Sequence, residues 1–126
     1  MKTIFAIDNG SDPRVRARFE RQMDTLRALQ KLQGGAIRLC VGCWKGELES
    51  SYMLDSDDFD TYVRGTPYVA KQQAFLHTSA YESRVEWLES GNSDVHPPMR
   101  RTTAALAMLN EGWTCTLDNG EYWVVD

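Results

Sequence analysis

The sequence predicts an α+β protein: a mainly antiparallel sheet packed by two long helices and ending in a β-hairpin. Three observations carry that prediction. One is an amphipathic helical pattern from Pro13 to about Gln33. Another is a pair of apolar, strand-like runs on either side of Lys45-Gly46. The last is Asn119-Gly120 between two aromatic, β-branched runs at the end of the chain. With 126 residues, 42% hydrophobic and 25% charged, the chain has the size and balance of one folded domain able to bury its own core.

Taken in order, Thr3 to Ile7 reads as a first strand, closed by a turn at Asp8-Asn9-Gly10. Asp12 is a good N-cap and Pro13 suits the first helical position, where its missing N–H costs nothing. At 100° per residue, Val15, Phe19, Met23, Leu26 and Leu29 form a stripe about 120° wide that must face a core. Gly34-Gly35 stops this helix. Ala36 to Trp44 and Glu47 to Leu54 read as a hairpin turning at Lys45-Gly46. Ser56 or Asp57 caps a short helix carrying Phe59, Tyr62 and Val63, and Pro67 opens another helical turn. Ala74 to Thr78 reads as a strand, and Arg84 to Leu88 as a strand or a helix. Gly91 to Pro98 reads as a loop. Ala104 to Leu109, rich in strong helix formers, reads as a second long helix running from Pro98 or Met99 to Gly112. Trp113 to Leu117 and Glu121 to Val125 then form a hairpin with a type I′ turn at Asn119-Gly120.

Charge and composition narrow the function. The formal net charge of −4 runs against general nucleic-acid binding, which shows a basic balance. No apolar run approaches the length of a membrane span, and the first residues lack the core of a signal peptide. The three cysteines fit reduced thiols, so a cytoplasmic setting is expected.

Cys40 and Cys43 have C-x-x-C spacing, but no second ligand pair is spaced to complete a zinc site. On a strand the two would face opposite sides, so a structural, unliganded pair is preferred. His77 and His96 are not spaced to form a nucleophilic dyad with any cysteine. No catalytic residue, cofactor or metal is assigned. Arg14, Arg18 and Arg21 share a flank of the first helix; they offer a phosphate contact, with a solvated face as the plainer reading. Asp55, Asp57, Asp58 and Asp60 form the densest charge cluster. It lacks the central glycine and closing Glu of an EF-hand loop. It reads as a solvated turn and helix cap, or as an acidic patch docking on a basic protein surface. Trp113, Tyr122 and Trp123 crowd one hairpin, and Tyr122 and Trp123 must face opposite sides, so one of them is a candidate interface anchor.

The run Gly42-Cys43-Trp44-Lys45-Gly46-Glu47-Leu48-Glu49-Ser50-Ser51-Tyr52 resembles a G-x-[YW]-x-G-x-x-E-x-S-[FY] pattern of small uncharacterised phage and bacterial proteins. A glutamine step follows in those proteins, here Gln72-Gln73-Ala74. The resemblance places Glu49, Ser51 and Gln73 at matching polar positions. It implies a phage-type accessory protein that binds and inhibits a host protein complex, as anti-CRISPR and other anti-defence proteins do. Under that reading the four aspartates with Trp113, Tyr122 and Trp123 form the partner surface. A small enzyme or ligand-binding protein with a polar pocket around Glu49, Ser51 and Gln73 is the alternative. Nucleic-acid contact through Arg14, Arg18 and Arg21 is a further one.

Overall fold

Alternation along the strand-like runs is what places side chains on two faces, and the computed structural model, which describes residues 1–6, 13–32, 37–69 and 72–125, shows both faces in use. The elements are β1 (Lys2–Ala6), α1 (Pro13–Leu32), β2 (Arg38–Trp44), β3 (Glu47–Asp55), α2 (Ser56–Tyr62), a 3-10 turn (Pro67–Val69), β4 (Ala74–Thr78), β5 (Ser83–Trp87), β6 (Ser93–His96), β7 (Arg100–Thr102), α3 (Ala104–Ala107), β8 (Trp113–Thr116) and β9 (Glu121–Val124). The strands form one sheet in the order β6-β5-β4-β1-β3-β2-β8-β9-β7. Every neighbouring pair is antiparallel.

The sheet is tightly curled. Laid flat, nine strands would put the edge strands about 38 Å apart, at about 4.8 Å per spacing. Yet β6 ends at His96 and β7 begins at Arg100, and four residues of chain reach at most about 14 Å. Trp44 on β2 and Trp87 on β5 report the same curl. Four spacings separate their strands along the sheet, but their ring centroids lie 5.8 Å apart.

Cross-strand partners share a face, so the register sorts the side chains. One face carries Phe5, Tyr52, Leu54 and Phe75. It packs against Phe19 and Met23 of α1, Phe59 of α2, and Val63 and Val69 beyond it. Further along the same face, Val41, Cys43, Trp113, Cys115, Tyr122 and Val124 pack beneath Ala107 of α3. The helices therefore lie outside the curl. The other face is concave, with Ile4, Cys40 and Met53 buried at its centre and Leu76 and Met99 packed on them.

Several expectations are corrected. The second long helix is absent. Arg100–Thr102 pairs with β9, and only Ala104–Ala107 is helical, capped by Thr103, whose Oγ1 accepts from the Leu106 N–H. Local helix propensity there yields to the open edge of β9, whose backbone groups would otherwise lack partners. Leu106, Met108 and Leu109 stay exposed, because no stripe of them faces the core. The 91–98 loop contains β6, an edge strand whose polar composition suits solvent exposure. The segment Arg84–Leu88 resolves to a strand. The cap of α2 is Asp55, whose carboxylate accepts from the Asp57 N–H at 3.1 Å. In α1 the buried apolar positions are Phe19 and Met23, whereas Val15 and Leu29 are exposed.

β8 and β9 pair as expected, but through a four-residue connection, with Gly120 N–H donating to Thr116 O at 2.8 Å. Gly120 alone in that connection takes a positive φ, so the turn is not type I′. β9 also pairs with β7. The turn at residues 8–10, the Asp12 cap and the Gly34-Gly35 stop lie outside the described residues.

Candidate functional site

The concave face leaves a trough of about 920 Å³, within the range of small-molecule sites. Its walls come from β1 to β6, β8 and β9, with Met99 reaching in from the short link between the two edge strands. Two local features keep it open. Gly42 sits opposite Glu49 on β3 and Thr114 on β8, and has no side chain to project inward. A Cβ placed there would meet Trp113 O at 3.6 Å, Ser51 Oγ at 3.7 Å and Glu49 O at 3.9 Å, all ordinary contacts. Beyond Ile4, β1 has no β4 partner. Instead the Gln72 side chain accepts from Ala6 N–H at 3.0 Å and donates back to Ala6 O. That leaves Gln73 and Ala74 at the rim.

The period of two along β3 turns Glu47, Glu49 and Ser51 to this face. Ser51 is 3% exposed, and its hydroxyl has no hydrogen-bond partner among the described residues. An unmet buried hydroxyl is costly, and the residue that carries it lines the trough. Glu49 looks into the trough and remains accessible to water there. Loss of part of its hydration to the walls, then the charge of Glu47, pushes its carboxyl pKa upward. Neither Glu47 nor Glu49 has an ion pair among the described residues. Gln73 joins them: its Oε1 accepts from Trp44 Nε1 at 3.3 Å and from Lys45 Nζ at 3.4 Å. The structure thus brings Glu49, Ser51 and Gln73 to one cavity.

Sequence reasoning missed the aromatic rim. Trp44 and Trp87 touch across the trough, and Trp87 Nε1 donates to Asp94 Oδ2 at 2.7 Å. Lys45 Nζ lies 5.8 Å and 5.6 Å from the two ring centroids. Lys45 takes φ 50°, the one non-glycine positive φ among the described residues. A hairpin turn of this kind favours Asn before Gly. A lysine here was the available signal: it costs backbone strain and gains its side chain's position over the tryptophans.

The other predicted residues are dispersed. Asp55 caps α2, Asp58 accepts from Gln30 Nε2 at 2.8 Å, and Asp60 pairs with Arg64 at 2.7 Å. Asp57 is exposed on the first turn of α2. Trp113 is buried and packs against half-buried Tyr122 with the rings tilted and their centroids 5.5 Å apart, while Trp123 faces the trough. Trp113 is level with Leu48 on β3, seven residues from Asp55, or about 23 Å along the strand. The aspartates and the aromatic hairpin therefore do not share a patch. Arg18 and Arg21 border a separate groove of about 570 Å³ between α1 and α2. Arg14 sits one turn earlier, on an exposed stretch of α1.

Cys40 lies in the concave core, its thiol pKa pushed up to about 11 by burial. Cys43 packs on the opposite face. No group of three or more His, Cys, Asp or Glu is placed to hold a metal among the described residues. None of the described helices is long and apolar enough to cross a membrane.

A second polar constellation was also missed, because its members are far apart in sequence. Thr3 Oγ1 bonds Ser56 Oγ at 2.7 Å and His77 Nδ1 at 2.8 Å, and His77 Nε2 bonds Glu86 Oε1 at 2.8 Å. Arg64 grips Glu86 through both terminal nitrogens, at 2.6 Å and 2.9 Å. The order resembles a hydroxyl–imidazole–carboxylate relay. However, Thr3 is fully buried, and Arg64 occupies the carboxylate. The network ties α2 to β1, β4 and β5 rather than meeting a substrate.

Comparison with protein-family models, with curated proteins and with solved structures finds no match.

Proposed function

We propose that the protein binds a small amphipathic molecule in the trough of its curled sheet. The trough itself, lined by apolar and aromatic residues with Glu49, Ser51 and Gln73 among them, carries this reading. Apolar walls with a few convergent polar groups are the usual composition of such sites, and curled antiparallel sheets of this strand number leave room for one small ligand. Should the bound molecule react, Glu49, with its raised carboxyl pKa, is the group suited to carry a proton. Inhibition of a host complex draws its support from the resemblance alone, and nucleic-acid contact from charge alone.

Filling the trough tests the proposal. Gly42 has no positive φ and no clash at Cβ, and valine favours strands. Gly42→Val should keep the thermal midpoint and weaken binding of an uncharged solvatochromic dye at least about tenfold, where the wild type binds one dye per chain. Equal dye affinity in the two proteins, or no dye binding by the wild type, would overturn the proposal.

A further inference from the structure

Resting on that reading, the charge and aromatic content of the trough define what enters it. Four carboxylates line it, from Glu47, Glu49, Asp94 and Glu111, against the single ammonium of Lys45. Glu47 lies directly opposite Trp44, and Glu49 opposite Gly42. Trp123 closes the far wall at the level of Thr114. Indole faces attract cations, and more strongly where water is thinned out. The chain already demonstrates the fit, since its own Lys45 ammonium sits over two of the rings. Ser51 adds a buried oxygen with an unused hydrogen bond.

We propose that the trough takes an organic cation, an amine or quaternary ammonium carried on a short apolar body. The head group lies between the Glu47 and Glu49 carboxylates and the Trp44 and Trp87 rings, displacing Lys45. The apolar body lies along Ile4, Leu76 and Val85 toward Met99. An anionic ligand would face four carboxylates with one lysine to offset them. An uncharged one would leave the Glu47 and Glu49 pair without a counter-charge. Two like charges on one strand face, two residues apart, hold each other in an unfavourable state that a bound cation relieves.

The test uses three probes with one apolar body: hexylammonium, hexan-1-ol and hexanoate, titrated into the full chain at pH 7 and followed by tryptophan fluorescence and calorimetry. The expected order is hexylammonium tightest and hexanoate weakest, with about tenfold between the amine and the alcohol. The double variant Glu47→Gln, Glu49→Gln should bring the amine to the level of the alcohol and leave alcohol binding unchanged. Lys45→Met, which vacates the rings, should tighten the amine. Gly42→Val should abolish the preference; if the preference survives that variant, it comes from surface charge and the proposal falls. Equal or tighter binding of hexanol or hexanoate would overturn the cation assignment while leaving the trough as a binding site. Failure of all three probes together with the uncharged dye would remove both. A preference insensitive to the Glu47→Gln, Glu49→Gln change would likewise overturn the assignment, as would weaker amine binding in Lys45→Met.

Discussion

At Gly42 the strand carries no side chain, and the space a side chain would fill is the middle of the trough. Around it stand residues that make poor contributions to stability, a common sign of a binding site. Glu49 is the clearest case. Its folded pKa lies above the ordinary carboxylate value, through lost hydration and then Glu47. An acid shifted that way penalises folding when ionised. The penalty is absent well below the ordinary carboxylate pKa, where folded and unfolded forms are both protonated; it grows as pH rises through that value and is complete above the folded pKa. Glu49→Gln should therefore melt above the wild type at pH 7 and level with it at about pH 3.5. Melting curves at the two pH values check this; a variant less stable at pH 7 would show that the carboxylate is satisfied. The polar trio was picked out in the sequence by the resemblance; the period of two along β3 then turns Glu49 and Ser51 to the same side. What hid the rim was range. Trp44 and Trp87 are 5.8 Å apart, yet nothing local to either indicates the other.

Elements were legible where local signals agreed with tertiary demand. The β2–β3 hairpin is set by alternation and by Lys45-Gly46, and α1 by its stripe and Pro13. The stretch 98–112 failed because its propensity points one way and the open edge of β9 another; Arg100–Thr102 joined the edge. The anchoring of α2 was also illegible, since Thr3, Ser56, His77 and Glu86 come from four separate segments. Glu86 within it carries a pH signature opposite to that of Glu49. Its two hydrogen bonds from Arg64, with that from His77, hold its pKa down to about 2. A lowered acid stabilises the fold when ionised. That contribution is complete above about pH 4.5 and drains away as pH falls toward 2. Glu86→Gln should accordingly lower the melting temperature at pH 7, with the gap to wild type closing as pH is lowered toward 2. A constant gap across that range would mean that the carboxylate's charge contributes nothing.

Across the whole molecule, the proposed site follows from curl. Helices pack on the convex side, so their burial closes the core without filling the concave face. The link at 97–99 draws the two sheet edges together and inserts Met99 against Ile4, Cys40 and Met53. No periodicity reports such a bend; it follows only once the strand order is known. Among the described residues, the recesses include the trough and the groove between α1 and α2, and the proposed binding belongs to the first. Backbone amide chemical shifts recorded during titration with hexylammonium distinguish them most directly. Binding in the trough gives saturable shifts at Gly42 to Ser51, at Gln73 to Leu76, at Val85 to Trp87 and at Trp123, with α1 and α2 unmoved. Shifts concentrated at Arg18 to Leu29 and Asp58 to Tyr68, or none on the concave face at saturation, would contradict it.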